Sequence, residues 1–175
     1  VRRFVYMSSA HVYGEMSGAV TEETVPRPRS AYAISKRSAE DFLLGAHEAH
    51  RIEAVVLRLS NGFGAPAHAD IPSWSLLVND LCRQAVLERR LRLRSSGIQV
   101  RDFIPMGDVV GAVRHVLHLP TDRFDDRVYN LGGDHPVSIL GMAEAVANRC
   151  DALLGFRPPS QRPEPKPGES PSASF

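Results

Sequence analysis

The chain has 175 residues, 43% of them hydrophobic, and its 21 basic and 20 acidic side chains leave a formal charge of +1. That balance gives no electrostatic reason to expect a nucleic-acid partner or attraction to a membrane surface, and no apolar run approaches a membrane span. The two cysteines, Cys82 and Cys150, have neither CxxC nor metal-ligand spacing, so no metal site is expected, and two isolated thiols suit a reducing cytoplasm.

An apolar run from Phe4 to Met7 ends in Ser8 and Ser9. It predicts a buried parallel strand over residues 3–8 with its polar tip at a ligand crevice. A loop broken by Pro26 and Pro28 leads to Ser30, a predicted helix cap, and the helix runs over residues 31–50. Residues 54–59 are apolar enough for a central strand. A helix over 73–90 follows, with Leu76, Leu77, Asp80, Leu81 and Gln84 making a mixed face. Short strands are expected over 91–94 and 100–103, a helix over 108–118, a strand over 128–131 and a helix over 139–154. Alternation of this kind is the signature of an α/β sheet. Residues 158–174, rich in proline, serine and charge, have the composition of a disordered tail.

Tyr32 and Lys36 carry the chemistry. A spacing of four on a helix puts phenol and ammonium on one face, a turn apart. A free tyrosine titrates at about 10, and a nearby positive charge favours its ionised form. The pair is therefore a candidate general acid/base. Serines after a strand commonly serve as turn residues, so Ser8 and Ser9 gain meaning only beside Tyr32 and Lys36.

Further blocks follow in order. Leu57 to Pro66 (LRLSNGFGAP) resembles an LRxxNxxGP block, Gly97 to Ile104 with Asp108-Val109-Val110 resembles RDFIxVxD, and Val128 to Gly133 (VYNLGG) resembles YNLGG. With the serine-tipped strand and the Tyr32–Lys36 helix, residues 1–150 resemble the extended short-chain dehydrogenase/reductases, in their NAD-dependent nucleotide-sugar epimerase/dehydratase branch. The resemblance implies an α/β fold: the C-terminal part of a Rossmann-type doubly wound parallel sheet plus part of a small α/β substrate-binding domain. Residues 1–70 would be the second half of the dinucleotide-binding domain with the catalytic residues. Residues 71–157 would mix substrate-binding segments with returning Rossmann elements, and 158–175 would be a cut tail. The family's glycine-rich phosphate turn has no counterpart here, so the resemblance implies a chain lacking the front half and unable to act alone. Residues 3–8 would then form a strand short of a neighbour, and the chain is expected to self-associate.

The resemblance also implies roles. Tyr32 would move the proton of a substrate hydroxyl, Lys36 would lower the phenol's pKa and bond the cofactor ribose, and Ser9 would hold the same hydroxyl. Tyr32, Lys36, Leu59 and Gly62 would contact the cofactor, NAD with NADP left open. Ser9, Asn61 and Arg101 would contact a nucleotide sugar. Read alone, Asn61 is a loop asparagine and Arg101 a surface charge. Asp102 and Asp108 are read as structural, and Arg162 or Lys166 could approach a nucleotide phosphate. The family's 4,6-dehydratases carry an Asp-Glu pair directly after the hydroxyl residue, where this chain has Ala10 and His11. That favours an epimerase. The alternatives are a reductase or dehydrogenase on a carbonyl without a nucleotide handle, or an inactive truncated chain. A cytoplasmic location and a homodimer in the complete protein complete the expectation, with no nucleic acid or membrane partner.

Overall fold

Five consecutive residues, Ala54 to Arg58, are buried, which requires a strand covered on both faces. The structure, a computed structural model, describes residues 3–16, 18–68, 70–169, 171 and 173–174. In chain order its elements are β1 (Arg3–Ser9), a 3-10 turn (Ala10–Tyr13), α1 (Ala31–Glu48), β2 (Glu53–Leu59), β3 (Asn61–Phe63), α2 (Leu77–Glu88) and β4 (Leu91–Arg92). They continue with β5 (Val100–Arg101), β6 (Phe103–Pro105), α3 (Met106–His118), a second 3-10 turn (Thr121–Arg123), β7 (Val128–Leu131), β8 (Val137–Ser138), α4 (Ile139–Leu154), β9 (Ser160–Gln161) and β10 (Ala173–Ser174).

The main sheet is parallel, in the order β1-β2-β7. One face of β2 presents Val55 and Leu57 to Val116 of α3, with Val5, Met7, Val113 and Leu131 packed around them. Helix α1 packs on β1 and β2. A second core lies beyond: Leu81 and Ala85 of α2 and Leu91 of β4 meet Ala143, Val146, Ala147 and Cys150 of α4. Small pairings stitch these parts together: β3 with β6, β4 with β9, and β10-β5-β8.

Several expected bounds shift: α1 ends at Glu48 rather than at residue 50, β4 spans only Leu91–Arg92 of the expected 91–94, and α3 starts at Met106 rather than at residue 108. The helix predicted over 73–90 starts at Leu77, since Ser73 to Leu76 form a turn, and ends at Arg89 in the left-handed region, φ 53°. The strand predicted over 100–103 splits at Asp102, whose buried carboxylate accepts from Gly133 N at 2.8 Å. Val100 and Arg101 then pair with β8 while Phe103 pairs with Asn61. Within the segment read as a tail, Ser160–Gln161 pairs with β4, and Glu169 accepts hydrogen bonds from Ser96 Oγ at 2.7 Å and Gln99 Nε2 at 2.9 Å.

Candidate active site

Ser30 sets where Tyr32 stands. Its Oγ accepts from Ala33 N at 3.1 Å, satisfying one of the free donors at the start of α1. Tyr32, two residues on, is 54% exposed, and its ring meets His11 edge-on with centroids 6.2 Å apart. One turn later the Lys36 ammonium donates to Met7 O at 2.9 Å and lies 5.8 Å from the Tyr32 ring and 5.1 Å from the Tyr6 ring. Four-residue spacing on α1 thus keeps amine and phenol on one side of the helix, and the end of β1 anchors the amine.

The strand tips supply the rest. Ser9 Oγ accepts from His11 N at 3.3 Å and caps the 3-10 turn, which leaves the hydroxyl proton for another acceptor. Beyond β2, the Asn61 Nδ2 donates to Asp102 O at 2.9 Å. Arg101 on β5 is half-buried, and among the described residues it forms no ion pair. Ser9, Tyr32, Leu59, Asn61, Gly62 and Arg101 all line one cleft of about 420 Å³. Lys36 stands behind Tyr32, outside that lining. Among the described residues no aspartate or glutamate lines the cleft; His11 does.

A larger cavity of about 640 Å³ lies between α2 and α4, lined by groups such as Trp74, Cys82, Met142 and Leu153. Burial pushes the Cys82 thiol up, and neighbouring Cys150 adds to that. The walls of this cavity are mainly apolar, whereas the smaller cleft gathers hydroxyl, imidazole and guanidinium side chains.

A sequence profile of the NAD dependent epimerase/dehydratase family matches residues 1–132. The chain belongs to this family. Among curated relatives, dTDP-D-glucose 4,6-dehydratase of Mus musculus is 30% identical over 149 residues, covering 83% of this chain and 39% of the mouse protein. A Bacillus subtilis protein described as an uncharacterized UDP-glucose epimerase is 27% identical over 146 residues, covering 83% of this chain and 44% of its own length. The chain therefore spans less than half the length of these relatives.

Among solved structures, UDP-glucuronic acid 4-epimerase of Bacillus cereus, in complex with UDP-glucuronic acid and NAD, superposes with a TM-score of 0.74 at 26% identity. The match covers 99% of this chain and 52% of that one. The Thermus thermophilus UDP-glucose 4-epimerase complex with NAD gives 0.75 at 25%, covering 99% and 56%. The main sheet is accordingly a Rossmann-type α/β sheet, in a family of NAD-dependent enzymes.

The cleft of this epimerase/dehydratase family member offers an independent test of fit. Ser60 Oγ, in the cleft wall between Leu59 and Asn61, is buried with no hydrogen-bond partner among the described residues. Buried hydroxyls are ordinarily satisfied, so a polar ligand group beside Leu59 and Gly62 suits this wall. Sequence reasoning passed over Ser60; the signal was a hydroxyl residue enclosed by two predicted contact residues.

It also passed over a buried network beneath the cleft. Glu40, fully buried on α1, accepts from Arg58 Nη2 at 2.7 Å, Arg58 Nε at 3.1 Å, Arg37 Nη1 at 3.1 Å and Ser8 Oγ. Arg58 Nη1 donates to Tyr13 Oη at 2.8 Å, and Tyr13 Oη donates to Asn130 Oδ1 at 2.7 Å. Burial pushes the Glu40 carboxyl up, but hydrogen bonds from Arg58 and Ser8 and the charges of Arg58 and Arg37 outweigh it and hold the group below the ordinary carboxylate value. Burial works against the Arg58 charge too, and Glu40 and Tyr13 overcome it, so that guanidinium is held more firmly protonated than usual.

Proposed function

We propose that this chain carries the catalytic and substrate-binding part of an NAD-dependent nucleotide-sugar epimerase. One observation carries the reading: Tyr32, with Lys36 one helical turn behind it, opens onto a cleft that also gathers Ser9, Asn61 and Arg101 from separate elements and that, among the described residues, no carboxylate lines. The relatives at the sequence level are mainly named as dTDP-glucose 4,6-dehydratases, which makes dehydration the second reading. Losing water needs an acid and a base beyond the group that handles the oxidised hydroxyl. Ala10 and His11 supply no carboxylate pair for it.

Tyr32 takes the proton from the sugar hydroxyl being oxidised and returns it after the sugar turns over in the cleft. Lys36 stabilises the phenolate; one ammonium proton is held by Met7 O, leaving others for the cofactor ribose. The Ser9 hydroxyl, its lone pair engaged by His11 N, donates to the same substrate oxygen and shortens the proton's path. NAD, when bound, supplies the acceptor and donor of hydride. Leu59, Gly62 and the unsatisfied Ser60 hydroxyl form the wall against which the nicotinamide would rest. Arg101 offers a planar, permanent charge suited to a diphosphate, and Asn61 contacts sugar or phosphate. NADP remains an alternative cofactor; a homodimer in the cytoplasm is part of the same reading.

The test is incubation of a reconstituted full-length protein, in which a glycine-rich dinucleotide-binding half precedes this chain, with NAD and UDP- or dTDP-activated sugars in deuterated water, read by NMR. The expected product is the epimer at the oxidised carbon with no solvent deuterium, because hydride leaves and returns through NAD. A 4-keto-6-deoxy product would establish the dehydratase reading instead, and, in a parallel incubation with NAD(P)H, reduction of a carbonyl compound that carries no nucleotide would establish a reductase.

A further inference from the structure

Three strands present one polar side chain each to a single row across the main sheet. Ser8 pairs in register with Arg58, and Arg58 pairs in register with Asn130. The next row out is Ser9, Leu59 and Leu131, the rim of the proposed site. Ser8, Arg58 and Asn130 therefore lie one residue beneath the reacting groups. Every one of them is tied into a single hydrogen-bonded assembly with Glu40 and Tyr13.

Helix α1 meets this row with its own row at four-residue spacing. Tyr32 touches His11, Lys36 bonds Met7 O, and Glu40 bonds Ser8 Oγ. Two consecutive residues at the end of β1 are thus held from above, while Arg58 grips the same Glu40 carboxylate from β2 with two nitrogens. Side-chain exposure is 3% for Arg58 and 0% for Glu40. A buried ion pair is weak evidence for stability as such, since well-packed apolar residues often serve as well. What apolar side chains do not reproduce is direction, because a fork–carboxylate contact fixes two planes relative to each other.

We propose that Glu40 and Arg58 are positioning residues, which lock α1 in register over the ends of β1 and β2 so that Tyr32 and Lys36 stand at a fixed distance from Ser9. The proposal rests on the functional reading above. The protein also contains its own internal standard for testing it. Lys36 and Lys166 are the two lysines of the chain; Lys36 is half-buried and Lys166 exposed.

Native-state acetylation of the chain, followed by mass spectrometry, gives the ratio of Lys36 to Lys166 labelling in wild type, Glu40→Gln, Arg58→Lys and the double variant Glu40→Met with Arg58→Met. The double variant retains a filled core if a single one fails to fold. Loss of the clamp frees Lys36 from Met7 O, and a charge-assisted hydrogen bond is worth enough to raise the ratio by about tenfold. Arg58→Lys, which keeps the charge and loses the fork, lies between wild type and the double variant. Leu81→Ala, a destabilising change in the other core, leaves the ratio at its wild-type value. An unchanged ratio in the double variant, or an equal rise in Leu81→Ala, overturns the proposal. Failure of the functional reading looks different: Tyr32→Phe would then retain turnover, with the labelling ratios unaffected.

Discussion

Arg58→Met leaves Glu40 in place without its principal partner. In wild type the carboxylate is fully buried and receives two contacts from Arg58, at 2.7 and 3.1 Å. Ser8 and Arg37 remain in the variant, yet the largest single influence on Glu40 is burial, which opposes its charge. Breaking such a pair costs about 3–5 kcal/mol, a large share of the roughly 5–15 kcal/mol that holds a domain together. Both partners are dry, so solvent screening takes little from that figure.

The pH dependence separates this from simple loss of packing. The wild-type carboxyl titrates below its unfolded value of 4.5, so its contribution is full above that pH and is lost as the pH falls through the folded value. In Arg58→Met, burial is left to dominate and the folded value rises above the unfolded one. The variant therefore regains stability as the pH falls from 7 towards 4.5, by at most about 1.4 kcal/mol per pH unit. Urea melts followed by the fluorescence of Trp74, the single tryptophan, measure the gap at each pH. It should narrow steadily on acidification. A gap that stays constant between pH 7 and pH 4 would mean that no uncompensated carboxylate is left behind, and the account of this network would be wrong.

In a reconstituted full-length protein, Tyr32→Phe should lower turnover with NAD and a nucleotide sugar by about 100- to 10,000-fold, the usual range for a lost general acid/base. Since the ring is 54% exposed, the unfolding free energy should change by no more than about 0.5 kcal/mol; turnover within tenfold of wild type contradicts the assigned role. Gly133→Ala would drive a Cβ into the Phe103 carbonyl, and overpacking of this kind costs about 1–3 kcal/mol or more. A neutral effect in a urea melt would show that β7 and β6 part more easily than their packing suggests. Strand β1 is outermost in its sheet among the described residues, with Phe4 43% exposed, so the chain alone should associate as concentration rises. Sedimentation as a monomer at all concentrations, with a sharp cooperative melt, goes against that expectation.

The elements legible in the sequence are those that local signals define at both ends. Helix α4 has the predicted bounds, because Ser138 caps its start by accepting from Gly141 N and Gly155 closes it at φ 69°. Ser30 did the same for α1, and the apolar runs of β1, β2 and β7 declared themselves. Strands of two or three residues exist only through a distant partner, as Asn61 does through Phe103, so periodicity has little to detect; the short strand expected over 91–94 forms only at Leu91–Arg92, where it pairs with Ser160–Gln161. The same holds for the proline-rich end, where composition argued for disorder and pairing with β4 decided otherwise for Ser160 and Gln161. Tyr32 and Lys36 were singled out by their four-residue spacing, and Ser9, Asn61 and Arg101 by blocks that resemble a family; nothing local in the sequence brings Tyr32, Ser9, Asn61 and Arg101 to one cleft, as the fold does. Arg58 was the overlooked signal, since a charged residue inside an otherwise apolar central strand demands a partner.

That demand explains why one sheet carries two kinds of polar residue at its edge. On the proposed reading, groups that line the cleft beside this sheet must stay incompletely satisfied, as the unpartnered Ser60 hydroxyl and the ion-pair-free Arg101 are among the described residues, so that a ligand would complete them. Groups left in that condition are free to rotate and to bond one another unless something underneath fixes the backbone that carries them. The inner row meets the requirement by the opposite means: Glu40 is saturated by Arg58, Arg37 and Ser8, and Tyr13 passes the connection on to Asn130. A saturated layer holding an unsaturated one lets a short stretch of chain keep reactive groups in place without burying them.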